Sequence, residues 1–445
     1  MLNGKVVRQT GQRMKAYRIA LLAVTTGCSS SHALGTDAGG AIDATYGGAA
    51  DRPEPDSMAS GGVGPADVST AGDASHAVDG GQDGTISGVD AGDTEASTDG
   101  AWPGADLGRG RWANLTPAVL PTAWPPASQL PGVAYDVDRG RLVVFGGLVI
   151  NSLPLHPLGD VWERTTVSGL WENRTPDPLP TSPGARSQHS FVYDVLRKRS
   201  VLVGGVTTVG LVEGDTWEWD GGAGSWSLRS ATSSSTLGAR MGAAVAYDTG
   251  RSTVILFGGL NGVIGNDVWE WSGGNSQWVG RTPAVLPTAW PSKRSSMALV
   301  FDDSRQRAVL FGGIVLSTPT SETWIADTWE WDGVSGTWAP QVVGGTNPPA
   351  EMERYVSQIP LMVYDSSRAR VVVVLDGTTP GTSTVWERAG DIWQEATPVS
   401  GPKPDSVNGA SAAYDPVSQR VMVFGASMSG GNSNEQLWSY QGPSK

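Results

Sequence analysis

The chain has 445 residues, of which 60 are glycine and 29 proline, and only 17% are charged. That composition suits many short strands joined by turns and argues against a mainly helical protein. The net charge is −13 with no clustered Lys/Arg stripe, which excludes nucleic acid as a partner, because phosphate binding needs concentrated positive charge.

Residues 1–28 carry Lys5, Arg8, Arg13, Lys15 and Arg18 and no acid, followed by the short apolar run Ile19 to Val24 and Thr25-Thr26-Gly27-Cys28. A basic stretch, a short apolar stretch and small residues describe a secretory signal, too short to span a bilayer. Cys28 is the sole cysteine, so intrachain disulfides and Cys-rich metal sites are excluded. The segment resembles a bacterial lipobox, although Thr25 stands where that family usually has Leu. The resemblance implies a signal peptide over 1–27 and acylation of Cys28, which would place the protein in the cell envelope as an outer-membrane lipoprotein or at the cell surface. The alternative is an ordinary signal peptide cut nearby, with Cys28 incidental.

Residues 28–105 are Gly, Ala, Ser, Thr and Asp with almost no aliphatic bulk, and 29–105 hold 13 acids against Arg52 alone. Such a segment cannot bury enough apolar area to offset its ordering entropy, and a disordered acidic linker is expected. As a flexible coil it would span roughly 50 Å. All 19 tryptophans lie at Trp102 or later, so the core belongs to residues 106–445.

One pattern recurs there. A strand ending in Tyr/Phe-Asp turns, returns as an aliphatic strand ending in a glycine pair, and after a variable loop reaches Trp-Glu-Trp, a Gly-rich turn and one more Trp. The turn aspartates are Asp136, Asp194, Asp248, Asp302, Asp365 and Asp415, and the first glycines are Gly146, Gly204, Gly258, Gly312, Gly377 (in Asp376-Gly377) and Gly425. Asp and Gly are 10 residues apart in five copies and 12 in the fifth, which marks an internal repeat. The Asp can bond its own backbone two residues on. Val-Val-Phe, Val-Leu-Val and Ile-Leu-Phe read as short strands buried on both faces. The glycine pair is expected to let the chain leave the strand. In Trp217/Trp219, Trp269/Trp271 and Trp329/Trp331 the period of two puts both indoles on one sheet face, the natural contact with a neighbouring blade.

Diglycine at the end of the second strand followed by Trp in the third and fourth resembles the kelch repeat, over roughly 108–445. The resemblance implies an all-β, six-bladed kelch-type β-propeller. The sixth copy stops at Trp438-Ser-Tyr-Gln-Gly, too early for its fourth strand, while the domain opens with an orphan strand at Arg111-Trp112. The ten residues from Thr116 to Pro125 recur unchanged at 282–291, a 166-residue offset equal to the Gly146–Gly312 separation. The orphan strand therefore sits where Trp278 sits three blades later, and it is expected to complete blade six and close the ring.

The long loops 148–159, 206–214, 314–326, 340–353 and 394–408 gather on one face, where binding is expected. Arg186, Arg240 and Arg294 stand 18 residues before their diglycines, with Arg354 a displaced counterpart and Ser128 and Val407 interrupting the ring. They form either a cationic rim that grips a carboxylate or sulfate, or a structural set bonded to neighbouring carbonyls, as kelch repeats often carry. Trp124, Trp290 and Trp324 fall in loops of the same face, either exposed for a sugar ring or a partner's pocket, or tucked in as blade caps. His156 and His189 are the domain's histidines, too separate in context for zinc or copper. No metal or other cofactor is expected, nor any catalytic residue.

Three functions compete: a monomeric, non-enzymatic module that binds a protein or glycan and is tied to the membrane by its lipid; a sugar mutarotase or isomerase, as some six-bladed kelch proteins are; and a purely structural envelope protein. The enzyme would draw on Glu213, Glu351, Glu353 or Asp405 and requires an acid within hydrogen-bond reach of Arg240.

Overall fold

The computed structural model describes residues 110–443 except 150–155, 177–180, 319–320, 342–347, 349–358, 378, 380 and 427–434. The signal peptide, Cys28 and the 28–105 linker lie outside the described residues, as do Arg354, Glu351 and Glu353.

Six antiparallel sheets form the ring, each built on a meander of four strands, and in the second the short strand Arg186–Ser187 adds a fifth. The inner strands are Gly132–Asp136, Ser190–Asp194, Ala244–Asp248, Ala298–Asp302, Leu361–Asp365 and Ser411–Asp415. The expected closure is present. The strand Arg111–Asn114 pairs antiparallel with Gln436–Gln441, setting Trp112 opposite Tyr440 and Asn114 opposite Trp438, so blade six is built from both ends of the domain.

Period-two strands buried on both faces account for this packing. Leu142 and Val144 face blade six, whereas Val143 and Phe145 face blade two. Every boundary between successive blades carries its own apolar cluster, and the tryptophans of the third and fourth strands supply much of each. Burial of this kind contributes about 25 cal/mol per Å² of apolar surface, so a blade gains most of its stability from its neighbours.

The glycine pair behaves differently from expectation. In blades two, three and four the strand does not end there. It runs through as Arg199–Thr207, Thr253–Asn261 and Arg307–Thr318, with a register shift across the first glycine. Residues 206–214 and 314–326 are thus largely tall hairpins instead of irregular loops. The reason is a close approach. A Cβ on Gly204 would lie 2.3 Å from the Arg240 carbonyl oxygen of the next blade, and both glycines adopt positive φ (63° and 100°). The bulge that admits the neighbour keeps the ladder going beyond it. Blade five, with Asp376-Gly377, has no such shift; its carboxylate instead accepts the Val407 amide at 2.6 Å.

On the opposite face, the turn aspartates accept backbone N–H groups as expected, Asp138 N to Asp136 Oδ1 being 3.1 Å. Sequence reading missed their partner, an arginine three residues on. Arg139, Arg197, Arg251 and Arg368 pair with the turn Asp and with the Glu of the Trp-Glu pair on the third strand; Arg305 pairs with that Glu and with Asp391 and donates to Gly390 O. Glu163 is fully buried and takes both Arg139 Nη atoms (2.8 and 2.7 Å) and the Trp219 indole N–H of blade two (3.0 Å). Tyr440 and Arg388 reach Glu387 and Glu330 of the preceding blade in the same way. Glycines opening the next blade's turn, such as Gly221, lie against these guanidinium groups, where a Cβ would overlap the Arg139 side chain.

At the boundary between blades six and one this centre is missing, because Ser418 and Ser439 replace the Arg and Glu. There Tyr135 donates to Thr166, which donates to Asp415 at 2.9 Å.

Removing one partner of a buried ionic centre strands the others. Glu163→Ala is expected to lower the unfolding free energy by about 3–5 kcal/mol in urea denaturation at neutral pH, and a loss under about 1 kcal/mol would show that Arg139 and Trp219 find other partners.

Candidate functional site

The three ring arginines are deeply buried, and each guanidinium is engaged within its own blade. Arg186 meets Asp215 at 2.7 and 3.0 Å and donates to the Gly204 carbonyl at 3.0 Å. Arg240 meets Asp267 at 3.3 and 3.1 Å and Gly258 O at 3.1 Å; Arg294 meets Asp327 at 2.5 and 2.9 Å and Gly312 O at 3.0 Å. Further donors go to Pro183 O and Leu237 O and, for Arg294, to Ser292 Oγ at 3.0 Å. The backbones of the same residues stitch the ring: Gly205 N donates to Arg240 O at 2.9 Å, and Arg240 N to Glu213 O at 2.8 Å.

The same aspartates also accept the first indole of each Trp pair, as Trp217 Nε1 to Asp215 Oδ2 at 2.7 Å and Trp329 Nε1 to Asp327 Oδ2 at 2.7 Å. The signal for this partner was present in the sequence. Asp215, Asp267 and Asp327 each precede their Trp by two residues, a strand period that places carboxylate and indole on one face. Asp160 has the same spacing from Trp162, but its blade carries Ser128 where the others carry Arg.

The enzyme criterion is met in form, since Asp267 lies within reach of Arg240. The same closed pair stands in three successive blades, which marks it as part of the repeat. Of the other carboxylates proposed for that role, Glu213 lies on the strand Val212–Asp220 and accepts Thr232 Oγ1 at 2.6 Å, and Asp405 lies in the connection into blade six.

Two of the three candidate tryptophans are anchored in the same way. Thr116 Oγ1 accepts Leu437 N at 2.8 Å and Trp124 Nε1 donates to Glu435 O at 2.9 Å. Three blades on, Thr282 Oγ1 accepts Val268 N at 2.7 Å and Trp290 Nε1 donates to Asn266 O at 2.8 Å. Trp290 is only 8% exposed and meets Trp331 edge-on. The repeated decapeptide is therefore clasped at its Thr and its Trp, and the exposed part between is led by Val119 and Val285, each 83% exposed. Trp324 does not lie in a loop. It sits on the strand Ser321–Asp332, opposite Ile314, partly buried against the blade four–five cluster. His156 is exposed on a short strand, His156–Pro157, beside Leu148–Val149.

Along the ring axis, residues from all six blades line a cavity of about 160 Å³ that is open to solvent. Its rim is set by residues six positions before the turn Asp. Leu130, Gln188, Gly242, Ser296 and Gly409 all adopt left-handed φ between 56° and 74°. Their backbones link blade to blade: Leu130 N to Gly409 O at 2.6 Å, Gly242 N to Gln188 O at 3.0 Å, Ser296 N to Gly242 O at 2.9 Å. His189 lies at the edge of this cavity, its imidazole turned into the seam between blades one and two, against Gly132 and Gly146 and between the edges of Phe145 and Phe191. Burial first, and then the Arg186 charge, pull its pKa down to about 3, against a smaller opposing effect of the Phe145 carbonyl. Neither ring nitrogen makes a hydrogen bond of ordinary geometry. Among the described residues no three His, Cys, Asp or Glu side chains converge as a metal ion would require.

No protein-family model matches this chain, and no curated protein matches it.

An unfolded imidazole takes its proton near pH 6.5, whereas folded His189 does not until about pH 3, so protonation favours the unfolded chain. The stability tied to this residue is intact above pH 6.5 and falls by about 1.4 kcal/mol per pH unit below it, down to about pH 3. His189→Met, which copies Met297 at the same repeat position, is expected to remove that slope. Between pH 7 and pH 5 the stability difference between wild type and variant should change by about 2 kcal/mol, read by denaturant unfolding; parallel curves would refute the assignment.

Proposed function

We propose that the chain is an envelope lipoprotein, acylated at Cys28 and carried on the acidic 28–105 linker, whose kelch-type propeller is a non-enzymatic binding module for a protein ligand. The observation that carries this reading is the row of tall hairpins on blades two, three and four. Their upper parts carry aliphatic side chains in water: Val209 and Leu211 on the first, Val263 on the second and Leu316 on the third. A satellite cluster of Val206, Met241, Leu260 and Ile264 braces the first two from below. Exposed apolar groups on neighbouring hairpins of a rigid scaffold are the usual mark of a protein-interaction site. The aliphatic character of the tips favours a protein over a sugar, and the anchored indoles of Trp124 and Trp290 support the same choice. The recurrence of closed Arg–Asp pairs favours binding over catalysis.

The test uses the full chain in its native envelope. Cys28→Ser should release it from the membrane fraction, and retention there would overturn the lipoprotein reading. Val209→Asp, Leu211→Asp and Val263→Asp combined should reduce its cross-linked adducts with envelope proteins at least tenfold while leaving the near-ultraviolet tryptophan signal unchanged. Undiminished adducts, or a glycan array that binds the protein through the same tips, would overturn the protein-ligand reading.

A further inference from the structure

The residue between the two large side chains of each third strand faces the next blade. In blades one to five it is Glu163, Glu218, Glu270, Glu330 and Glu387; in blade six it is Ser439. Two guanidinium positions serve this carboxylate elsewhere in the ring. The residue after the Glu on the following blade's third strand reaches back across the boundary, as Arg388 does to Glu330 at 2.8 Å. The residue five after the turn Asp approaches from the same blade, as Arg141 does to Glu163 at 3.7 Å.

At the boundary between blades six and one both of these positions are arginine, and the carboxylate is gone. Arg164 holds the place of Arg388, and Arg420 that of Arg141. Arg164 lies opposite Leu142 in register and shares the face of Trp162, which packs against blade six. Ser439 lies opposite Met422, two residues along from Arg420, on the face that packs against blade one. Among the described residues, Arg164 and Arg420 are the two arginines that make neither an ion pair nor a hydrogen bond. Both are half-buried, and none of their guanidinium nitrogens is sealed from water. Burial pulls the Arg164 pKa below the ordinary guanidinium value, by more than the charges of Asp415 and Tyr135 raise it. Asp415 is already engaged by Val417 N, Ser418 N, Ser418 Oγ and Thr166 Oγ1. One carboxylate therefore faces two guanidinium groups, and the boundary carries an uncompensated positive charge.

We propose that this boundary is a binding site for a small carboxylate anion, seated where the Glu side chain lies in the other blades and gripped by Arg164, Arg420 and the Ser439 hydroxyl. The repeat itself names the ligand's chemistry, because the same two positions approach a carboxylate wherever the third strand supplies one. Guanidinium groups match the flat fork of a carboxylate, and such charge-assisted bonds are stronger than neutral ones. Ser439 stops at a hydroxyl where Glu goes on to a carboxylate, so formate or acetate restores the missing group. A ligand that binds only the folded chain also stabilises it, and here it fastens the seam between the first and last sheets. The site lies on the hairpin-turn face, apart from the tall hairpin tips, and is independent of their reading.

The probes are formate and acetate, titrated into the full chain at neutral pH and constant ionic strength while the arginine Nε–H signals are followed by ¹⁵N NMR. Saturable shifts of two signals are expected, assigned to Arg164 and Arg420 by their loss in Arg164→Gln and Arg420→Gln. Each of these variants should keep the near-ultraviolet tryptophan signal and weaken binding, read at the remaining arginine, at least tenfold. Ser439→Glu supplies the carboxylate within the chain; it should abolish the response and raise the urea midpoint above that of ligand-free wild type. No saturable shift of the Arg164 and Arg420 signals would overturn the proposal, as would a response that Ser439→Glu leaves intact. Equal shifts with chloride at the same ionic strength would overturn the assignment to a carboxylate.

Discussion

Each sheet of this protein is apolar on both faces, and that constraint governs everything else. A single blade would leave half its aliphatic side chains and most of its tryptophans in water. A closed ring covers every face of six similar sheets and leaves only short strand edges exposed. Closure therefore does not decorate the fold; it is the condition under which any blade is stable. The short strand around Trp112 matters out of proportion to its four residues, because it gives blade six its outer edge and buries Trp112 against Trp438 and Tyr440.

Polar groups follow the same division of labour. On one face, the ring arginines bond their own blade's aspartate and diglycine carbonyl while their backbones hydrogen-bond the blade before. On the other, the turn Asp, the following Arg and the third-strand Glu form an ionic centre, and at blades one, four and five the next blade completes it with an indole, a guanidinium and a phenol. Charges taken out of water are costly unless fully partnered, and here the partners come from two blades at once, which ties correct pairing to correct blade order. The boundary between blades six and one is the exception: hydroxyls of Tyr135, Thr166 and Ser418 stand in for the missing ions. This is also the boundary that brings together the first and last sheets of the chain.

The repeat is broken at a few places. Blades two to four lengthen their central hairpins, and the added length ends in exposed aliphatic side chains. Gln188 and His189 interrupt a rim that is otherwise small or apolar. A repeat scaffold makes such departures easy to see, because each position has five counterparts that show what the fold alone requires.

The strand period, the spacing of Asp and diglycine, and the ten-residue echo at 116–125 and 282–291 were sufficient by themselves to determine the all-β class, the number of blades and the closing strand. These features are local or periodic, and a period of two or a constant hairpin length is written directly in the order of residues. The tertiary structure alone decided which side chains meet. That Arg139 completes the turn Asp, that Trp324 lies on a strand, and that the arginines face aspartates rather than solvent depend on how one blade approaches the next. The glycine pair shows the limit most clearly. Its need for positive φ was readable, but not that a neighbouring carbonyl fills the space of the absent Cβ while the ladder continues past it. Such contacts join residues tens of positions apart, and no spacing along the chain encodes the distance between two sheets.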